Sequence, residues 1–498
     1  MKRGLWLTTL YFFAAGIILR LPFRSQFLYH WDSVNFAFGL FEFDILNHQP
    51  QPPGYILYIL LGRLFKLVFV EANASLVWVS VLFSGLAIAA LYWVAARLFD
   101  DRVGLAAGVL GLTSPLIWFY SEVALNYIID AFFVTVLAYA CYRQLQGDGR
   151  FVIPAALLLG LAGGFRQTTL VFLFPLWLFS LKGVGWGKRV TGTAVLGAVV
   201  VGWMAIMIVM SGGWNAFWLA MMSQSGSNLG ISAASSVQFL LLNLARLGLF
   251  TFYGLMLAAL VLPVFVVRFI RHFRQTVREP VWQVLLLWIL PSLLFYLIFV
   301  QQAGYTFTYL PAVFILIAFT LARVIAPWAR QKFALRSPTA AMAGVLVAAN
   351  VAFFLLAQPY LFGSDKFLLR TPSAHAIRDR DTVLGQKIDF IRAQFPPEET
   401  LVLAGGMDFR IPDFYLADYR MPFISHDLNQ LTAEHMQQAG SIRYLVLLNE
   451  LPPYPNIPLE ALQSAMPSNP LYWTELGAND ELVLSKQEGV ALRRRATP

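Results

Sequence analysis

Charge is what this sequence has least of. Only 13% of its 498 residues are Asp, Glu, Lys or Arg, about half the ~25% of an ordinary soluble domain. With 58% hydrophobic residues and a mean hydropathy of +0.64, that scarcity excludes a soluble globular enzyme and points to a polytopic membrane protein. Cysteine is nearly absent. Cys141 is the single one, so no disulfide within the chain and no thiolate metal centre can form. The chain also lacks a Walker A loop, a zincin helix, a G-x-S-x-G elbow and a dinucleotide fingerprint, which argues against a nucleotide-driven pump. It has no repeat of solenoid period. The net charge of +9 reads as basic loops on one membrane face rather than as a nucleic-acid surface.

What is present is a series of apolar runs. Eleven spans are expected, at about 4–22, 74–97, 103–119, 127–143, 151–165, 167–181, 190–210, 239–267, 281–300, 305–325 and 339–361. The opening "MKRGLWLTTLYFFAAGIILRLPF" reads as the first of these rather than as a cleaved signal peptide. With the N-terminus inside, 17 Lys and Arg up to residue 361 fall on the cytoplasmic side and 6 on the outer side, as the positive-inside rule requires. Residues 55–70, "YILYILLGRLFKLVFV", are apolar but short and carry Arg63 and Lys66. Counting them as a span would reverse that bias, so they read as an interfacial helix on the outer surface.

This orientation sorts the acids. Of the ten up to residue 361, six fall on the outer side: Asp32, Glu42, Asp44, Glu71, Glu122 and Asp130. Acids near the membrane plane are costly and often mark function. From residue 362 onward the composition changes. This tail holds 17 of the 27 acids and 13 of the 36 basic residues. The runs "TLVLAGG", "RYLVLLN" and "ELVLSK" look like strands with helical stretches between them. The expected organisation is a membrane bundle over 1–361 and a small soluble α/β domain over 362–498, placed outside by the odd span count.

Several side chains carry two readings. Asp32 in "HWDSVNF" suits either a general base for an acceptor hydroxyl or an N-cap of the helix that follows. "FEFDILNHQPQPPGY" holds Glu42, Asp44, His48 and Tyr55. They are substrate candidates, with His48 able to meet a metal or phosphate, or else they form a rigid, proline-set connector. Glu122 and Asp130 in "YSEVALNYIID" offer oxygens that suit Mg²⁺ or Mn²⁺, or are a snorkelling Glu and a hydrogen-bonded Asp. Arg166 in "GGFRQTT" grips a phosphate or anchors at the interface. Gln301, Gln302 and Tyr305 in "QQAGYTFTYLP" suit a sugar or headgroup, or belong to an aromatic belt.

An Asp in the first outer loop, a Pro-Pro-Gly-Tyr turn before an interfacial helix, and acids in the second outer loop resemble the GT-C superfamily of integral membrane glycosyltransferases. Within it, the protein O-mannosyltransferase and aminoarabinose transferase-like group (glycosyltransferase family 39) is the most similar. The likeness covers roughly residues 5–320, and is specific at 31–62, "YSEVALNYIID", "GGFRQT" and "GYTFTYLP". "WDSVNFAF…FD…HQPQPPGY…G" is especially like bacterial members. The resemblance implies a mainly α GT-C bundle in a bacterial cytoplasmic membrane. It implies a polyprenyl-phosphate sugar as donor and a lipid, glycan or protein acceptor. Asp32 would be the catalytic base, Glu122 and Asp130 metal or acceptor ligands, and Arg166, Arg63 and Lys66 ligands of the donor phosphate. Transfer would proceed in one displacement, inverting the anomeric centre. Two departures bear on metal dependence: Ser33 follows Asp32 where many relatives have Glu, and Gln51 stands where related proteins often have His. A transporter or lipid flippase is the alternative, but a midplane charge site and repeat symmetry are missing. A non-catalytic scaffold of the cell envelope would tolerate Asp32→Asn.

Overall fold

The computed structural model describes residues 2–229, 237–299, 302–333, 338–360, 370–405, 408–420, 441–449, 462–465, 471–477, 480–485 and 489–494. Gln301 lies outside the described residues. The helices in chain order are α1 (Lys2–Ile18), α2 (Trp31–Phe41), α3 (Ile56–Phe69), α4 (Ala72–Leu98), α5 (Asp101–Thr113), α6 (Pro115–Tyr120) and α7 (Tyr127–Leu145). They continue as α8 (Val152–Phe165), α9 (Gln167–Ser180), α10 (Trp186–Met210), α11 (Trp214–Leu229), α12 (Val237–Leu255), α13 (Leu262–Arg271), α14 (Phe273–Thr276) and α15 (Pro280–Phe299). The last are α16 (Leu310–Thr320), α17 (Ala326–Phe333), α18 (Pro338–Leu356), α19 (Ala374–Gln394) and α20 (Ile411–Tyr415). Packing divides the chain into two units. One comprises Met1–Arg24 and Gly39–Ile377, the other Ser25–Phe38 and Arg378–Pro498.

The first unit is a polytopic membrane helix bundle. Among the described residues, 7 helical stretches are long and apolar enough to cross a membrane. They fall at seven of the expected spans. The other four expected spans coincide with helices outside that set: α5 with α6, then α8, α9 and α18. The span expected over 103–119 breaks because Pro115 cannot continue the α5 hydrogen-bond ladder. Ser114 stitches the break, donating to the Gly254 carbonyl at 2.7 Å and accepting from the Ile117 N–H at 3.4 Å. α11 lies in a stretch read as a connection.

The bundle packs tightly where side chains are small. A Cβ on Gly16 would lie 2.9 Å from the Gly85 Cα, and one on Gly85 would lie 2.8 Å from the Phe13 carbonyl oxygen. α1 and α4 thus meet backbone to backbone, the close approach that small residues permit between membrane helices. α4 runs 27 residues, about 40 Å at 1.5 Å per residue. Residues 55–70, expected to lie at the interface, form the 14-residue helix α3. It buries Ile56, Tyr58, Ile59 and Gly62 and leaves Leu64, Leu67 and Val68 exposed. One face of α3 is thus packed and the other, apolar as well, is left uncovered.

The second unit carries a four-stranded sheet of β1 (Thr400–Leu403), β2 (Tyr444–Leu447), β3 (Gln463–Ser464) and β4 (Tyr472–Glu475), ordered β1-β2-β4-β3. β1 and β2 pair in parallel with Thr400 opposite Tyr444, and β2 and β4 pair antiparallel. β5 (Asp480–Ser485) and β6 (Gly489–Arg494) pair antiparallel in a separate two-stranded sheet. Three of these strands lie in the runs read as strands. Leu401, Leu403, Leu445, Leu447, Ile442 and Leu482 form one apolar core. Lys387 on α19 ties the helix to the sheet by donating to the Leu448 carbonyl at 2.7 Å.

Candidate functional site

The expected site residues do not form one constellation: four gather in the membrane bundle, Asp32 lies in the second unit, and the rest are spread over the turn 121–126, the connector 42–55 and α3. In the membrane bundle, the cluster gathers where α8 gives way to α9. Arg166 sits at that joint in an extended conformation, φ −157°, and its guanidinium turns inward. It donates to Asp130 Oδ2 at 2.8 Å while Thr169 donates to Oδ1 at 2.6 Å. Arg166 is 5% exposed and Asp130 2%. The guanidinium carbon lies 4.7 Å from the Tyr127 ring centre and 4.5 Å from that of Tyr305. Two aromatic faces and a carboxylate therefore compensate a charge that would otherwise be expensive to bury. The Tyr127 hydroxyl donates to Gln302 Oε1 at 2.6 Å, and Tyr305 stacks on Tyr296 at 5.3 Å. Arg166, Asp130, Gln302 and Tyr305 are thus brought together. Tyr127, Thr169 and Tyr296 join them without having been singled out. Tyr127 lies one turn before Asp130, and Thr169 one turn after Arg166.

Glu122 lies in the fully buried turn 121–126 between α6 and α7. Ser80 holds this turn by donating to the carbonyls of Val123 and Leu125 at 2.9 and 3.1 Å. The charged neighbour of Glu122 is Arg20. Arg20 is itself buried, donates to the Leu112 carbonyl at 2.8 Å and lies over the Trp118 ring at 4.7 Å.

The connector 42–55 is built by its own polar groups. Asp44 Oδ1 accepts from the N–H groups of Leu46 and Asn47 at 3.0 and 3.3 Å, and Oδ2 accepts from the Asn47 amide at 2.7 Å. Asp44 and Gln49 exchange both backbone hydrogen bonds at 2.7 Å. Asp44 is thereby occupied as a turn former. Glu42 is exposed. His48 and Tyr55 take left-handed φ values of 57° and 43°. Gly54, at φ 103°, supplies the conformation that glycine adopts freely. Of the two basic residues on α3, Arg63 donates to the Gly39 carbonyl at 2.9 Å. The Lys66 ammonium lies 4.5 Å over Phe41.

The second cluster surrounds Asp32. Asp32 occupies the first turn of α2, where the helix dipole favours a carboxylate. It is the second residue of the helix rather than the residue that precedes it, so it does not take the N-cap position. Its backbone N–H donates to His30 Nδ1 at 3.0 Å. Its Oδ2 lies 3.5 Å from the same nitrogen. Nδ1 is therefore an acceptor, and the His30 proton sits on Nε2. Burial pushes the His30 imidazole below its ordinary pKa, against the pull of Asp32, so the ring is neutral at pH 7. Arg380, paired with Asp408, lies beside it. Arg410 donates to Asn35 Oδ1 at 2.8 Å and approaches Asp413 at 3.9 Å. Burial lowers the Arg410 pKa to about 10 and raises that of Asp413 to about 6.

The expectation of Mg²⁺ or Mn²⁺ at Glu122 and Asp130 meets an unsuitable donor set. Among the described residues no three His, Cys, Asp or Glu side chains converge on one point. Both Asp130 oxygens are already engaged by Arg166 and Thr169. A divalent ion would have to displace a buried ion pair.

Comparison with known proteins agrees with the fold. The family model described as the Protein O-mannosyl-transferase TMEM260 N-terminal domain matches residues 46–183. Those residues hold α3 to α9 and, with them, Glu122, Asp130 and Arg166. ArnT from Cupriavidus metallidurans, solved bound to undecaprenyl phosphate, aligns with a TM-score of 0.60 at 12% identity. The alignment covers 95% of this chain and 98% of that one. The apo form of that protein aligns over the same shares at a TM-score of 0.53 and 12% identity. An oligosaccharyltransferase from Archaeoglobus fulgidus aligns over 90% of this chain and 70% of its own, at 13% identity and a TM-score of 0.47. No curated protein matches by sequence. The fold of this chain is thus similar to that of ArnT along nearly its whole length.

Proposed function

We propose that this protein is a membrane glycosyltransferase of the GT-C type that moves a sugar from a polyprenyl-phosphate donor to an extracytoplasmic acceptor hydroxyl. The observation that carries this reading is the match of residues 46–183 to an O-mannosyl-transferase domain. That segment includes the acids and the arginine singled out from sequence, and its context is a chain-long ArnT-like fold. The solved ArnT relative is bound to undecaprenyl phosphate, which supports a lipid-phosphate carrier here.

In this reading Asp32 is the general base. It takes the proton of the acceptor hydroxyl as that oxygen attacks the anomeric carbon. The bond from the anomeric carbon to the phosphate oxygen breaks, and its electron pair leaves on the phosphate. The departing charge requires cations rather than a proton donor. Lys66 and Arg63 on α3 are the candidates, since Arg166 is committed to Asp130 and two tyrosine rings. Arg166 then serves to fix Tyr305 and, through Tyr127, Gln302 for contact with donor or acceptor. No step is assigned to a metal. One displacement inverts the anomeric centre.

The test is transfer by the purified full chain from a panel of labelled polyprenyl-phosphate sugars, with a cell-envelope extract as acceptor. The anomeric configuration of the product is read by NMR. Transfer with inversion supports the reading. Transfer with retention removes the single-displacement mechanism. Movement of a donor across a vesicle membrane without transfer favours a flippase.

A further inference from the structure

The segment that carries Asp32 takes its fixed points from residues more than three hundred positions later. Asp381 on α19 accepts two successive backbone N–H groups, from Gln26 at 2.7 Å and from Phe27 at 3.1 Å. The next N–H, that of Leu28, donates to the Tyr415 hydroxyl at 2.8 Å. Three consecutive donors of an irregular segment are thus satisfied by two side chains, which defines the path of the backbone there. On the far side of Asp32, Arg410 donates to Asn35 Oδ1 at 2.8 Å and lies 4.9 Å over the Phe38 ring. Asn35 is 2% exposed and Arg410 4%. Ring contacts follow the same course: Phe27 with Tyr415 at 5.2 Å, Trp31 with Phe409 at 5.9 Å and Phe38 with Phe414 at 5.3 Å.

We propose that Asp381, Tyr415 and Arg410 are positioning residues for Asp32, so that the C-terminal unit holds the catalytic base in place. The inference rests on the reading of Asp32 as the base. Asp32 lies between two anchors, residues 26–28 before it and residues 35–38 after it. His30, between the first anchor and Asp32, receives the Asp32 N–H. Apolar packing would suffice to attach the segment. Charged and hydroxyl groups bonded to named backbone and amide atoms fix its register as well. A base must be held within a fraction of an ångström of its working geometry. A misplacement of about 1 Å lowers turnover on the order of a hundredfold.

The experiment uses the full-length protein and the labelled-donor assay above. It compares wild type, Asp32→Asn, Asp381→Asn, Tyr415→Phe, Arg410→Met and Arg410→Lys. Hydrogen exchange of residues 25–38 is read alongside kcat and KM. The expected result is slow exchange at Phe27 and Leu28 in the wild type and faster exchange in Asp381→Asn and Tyr415→Phe. With it, kcat should fall about ten- to a hundredfold and KM stay within about twofold. Arg410→Lys should recover part of the loss of Arg410→Met. Fast exchange in the wild type overturns the inference, as does lost protection with unchanged kcat. An active Asp32→Asn, or a wild type inert with every donor, removes the reading of Asp32 and the inference with it. That outcome is seen in those two proteins before any positioning variant is compared.

Discussion

Arg166 donates to Asp130 at 2.8 Å from between the faces of Tyr127 and Tyr305. Both charged side chains are almost wholly buried, so each is the other's principal compensation. Removing one partner leaves an uncompensated buried charge, at a cost of about 3–5 kcal/mol. Arg166→Met and Asp130→Leu should each lower thermal stability in detergent by that order. The double variant should be less destabilised than either single one. A double variant as unstable as the sum of the two would contradict the pairing.

Gly304 packs under the same ring system. A Cβ at this position would lie 2.4 Å from two carbons of the Tyr127 ring. The ring cannot yield without leaving Arg166 or the Gln302 amide. Gly304→Ala should therefore destabilise the bundle by about 1–3 kcal/mol. Tyr127→Leu should largely remove that penalty when combined with it. Thermal unfolding of the four proteins of this cycle decides the matter, and an unchanged penalty would count against the packing.

The crossing of α1 and α4 depends on Gly85. A side chain there meets the Phe13 carbonyl oxygen at 2.8 Å, and backbone cannot rotate away as a side chain can. Gly85→Val should lower the unfolding temperature by an amount equivalent to about 1–3 kcal/mol. Exposed Gly4, whose Cβ position has no neighbour within 4 Å, should accept Ala with little change. Equal tolerance at the two sites would rule out the close contact.

The Asp381 carboxyl links the C-terminal unit to pH. Burial raises its pKa from 3.8 to about 6, against the hydrogen bonds from Gln26 and Phe27. Between those values the folded protein holds a proton that the unfolded chain releases. Its contribution to stability is therefore complete below pH 3.8 and is lost as pH rises through about 6. The unfolding temperature of wild type minus that of Asp381→Asn should be larger near pH 4 than near pH 7.5. A difference that grows with pH would mean that the carboxyl is held ionised instead.

Much of the bundle was legible because each helix announces itself locally. Apolar runs near 20 residues mark spans, and Arg63 and Lys66 within a short apolar run set residues 55–70 apart, whereas the break at Pro115 was missed because 103–119 reads as one apolar run. The strands at 400–403, 444–447 and 480–485 were legible as short apolar runs between turn residues. The pairing of polar groups was not legible, because it is set by tertiary packing. Asp130 and Glu122 read together as oxygen donors for a cation, yet Asp130 is held by Arg166 and Glu122 has Arg20 as its charged neighbour. Nothing near residue 32 in the sequence points to Asp381, Arg410 or Tyr415. The division at residue 361 follows composition alone. Composition is blind to the fourteen residues of Ser25–Phe38 that pack with the C-terminal unit.

The proposed sugar transfer stands on Asp32 acting as its base. The most direct measurement is the initial rate of transfer from the active labelled polyprenyl-phosphate sugar by wild type and Asp32→Asn, with donor binding and unfolding temperature measured on the same samples. Asn keeps the shape of the side chain and removes the proton acceptor. A fall in rate on the order of 10²–10⁴-fold, the usual worth of a general base, with donor binding and unfolding temperature unchanged, is the predicted result. Equal rates in the two proteins would contradict it.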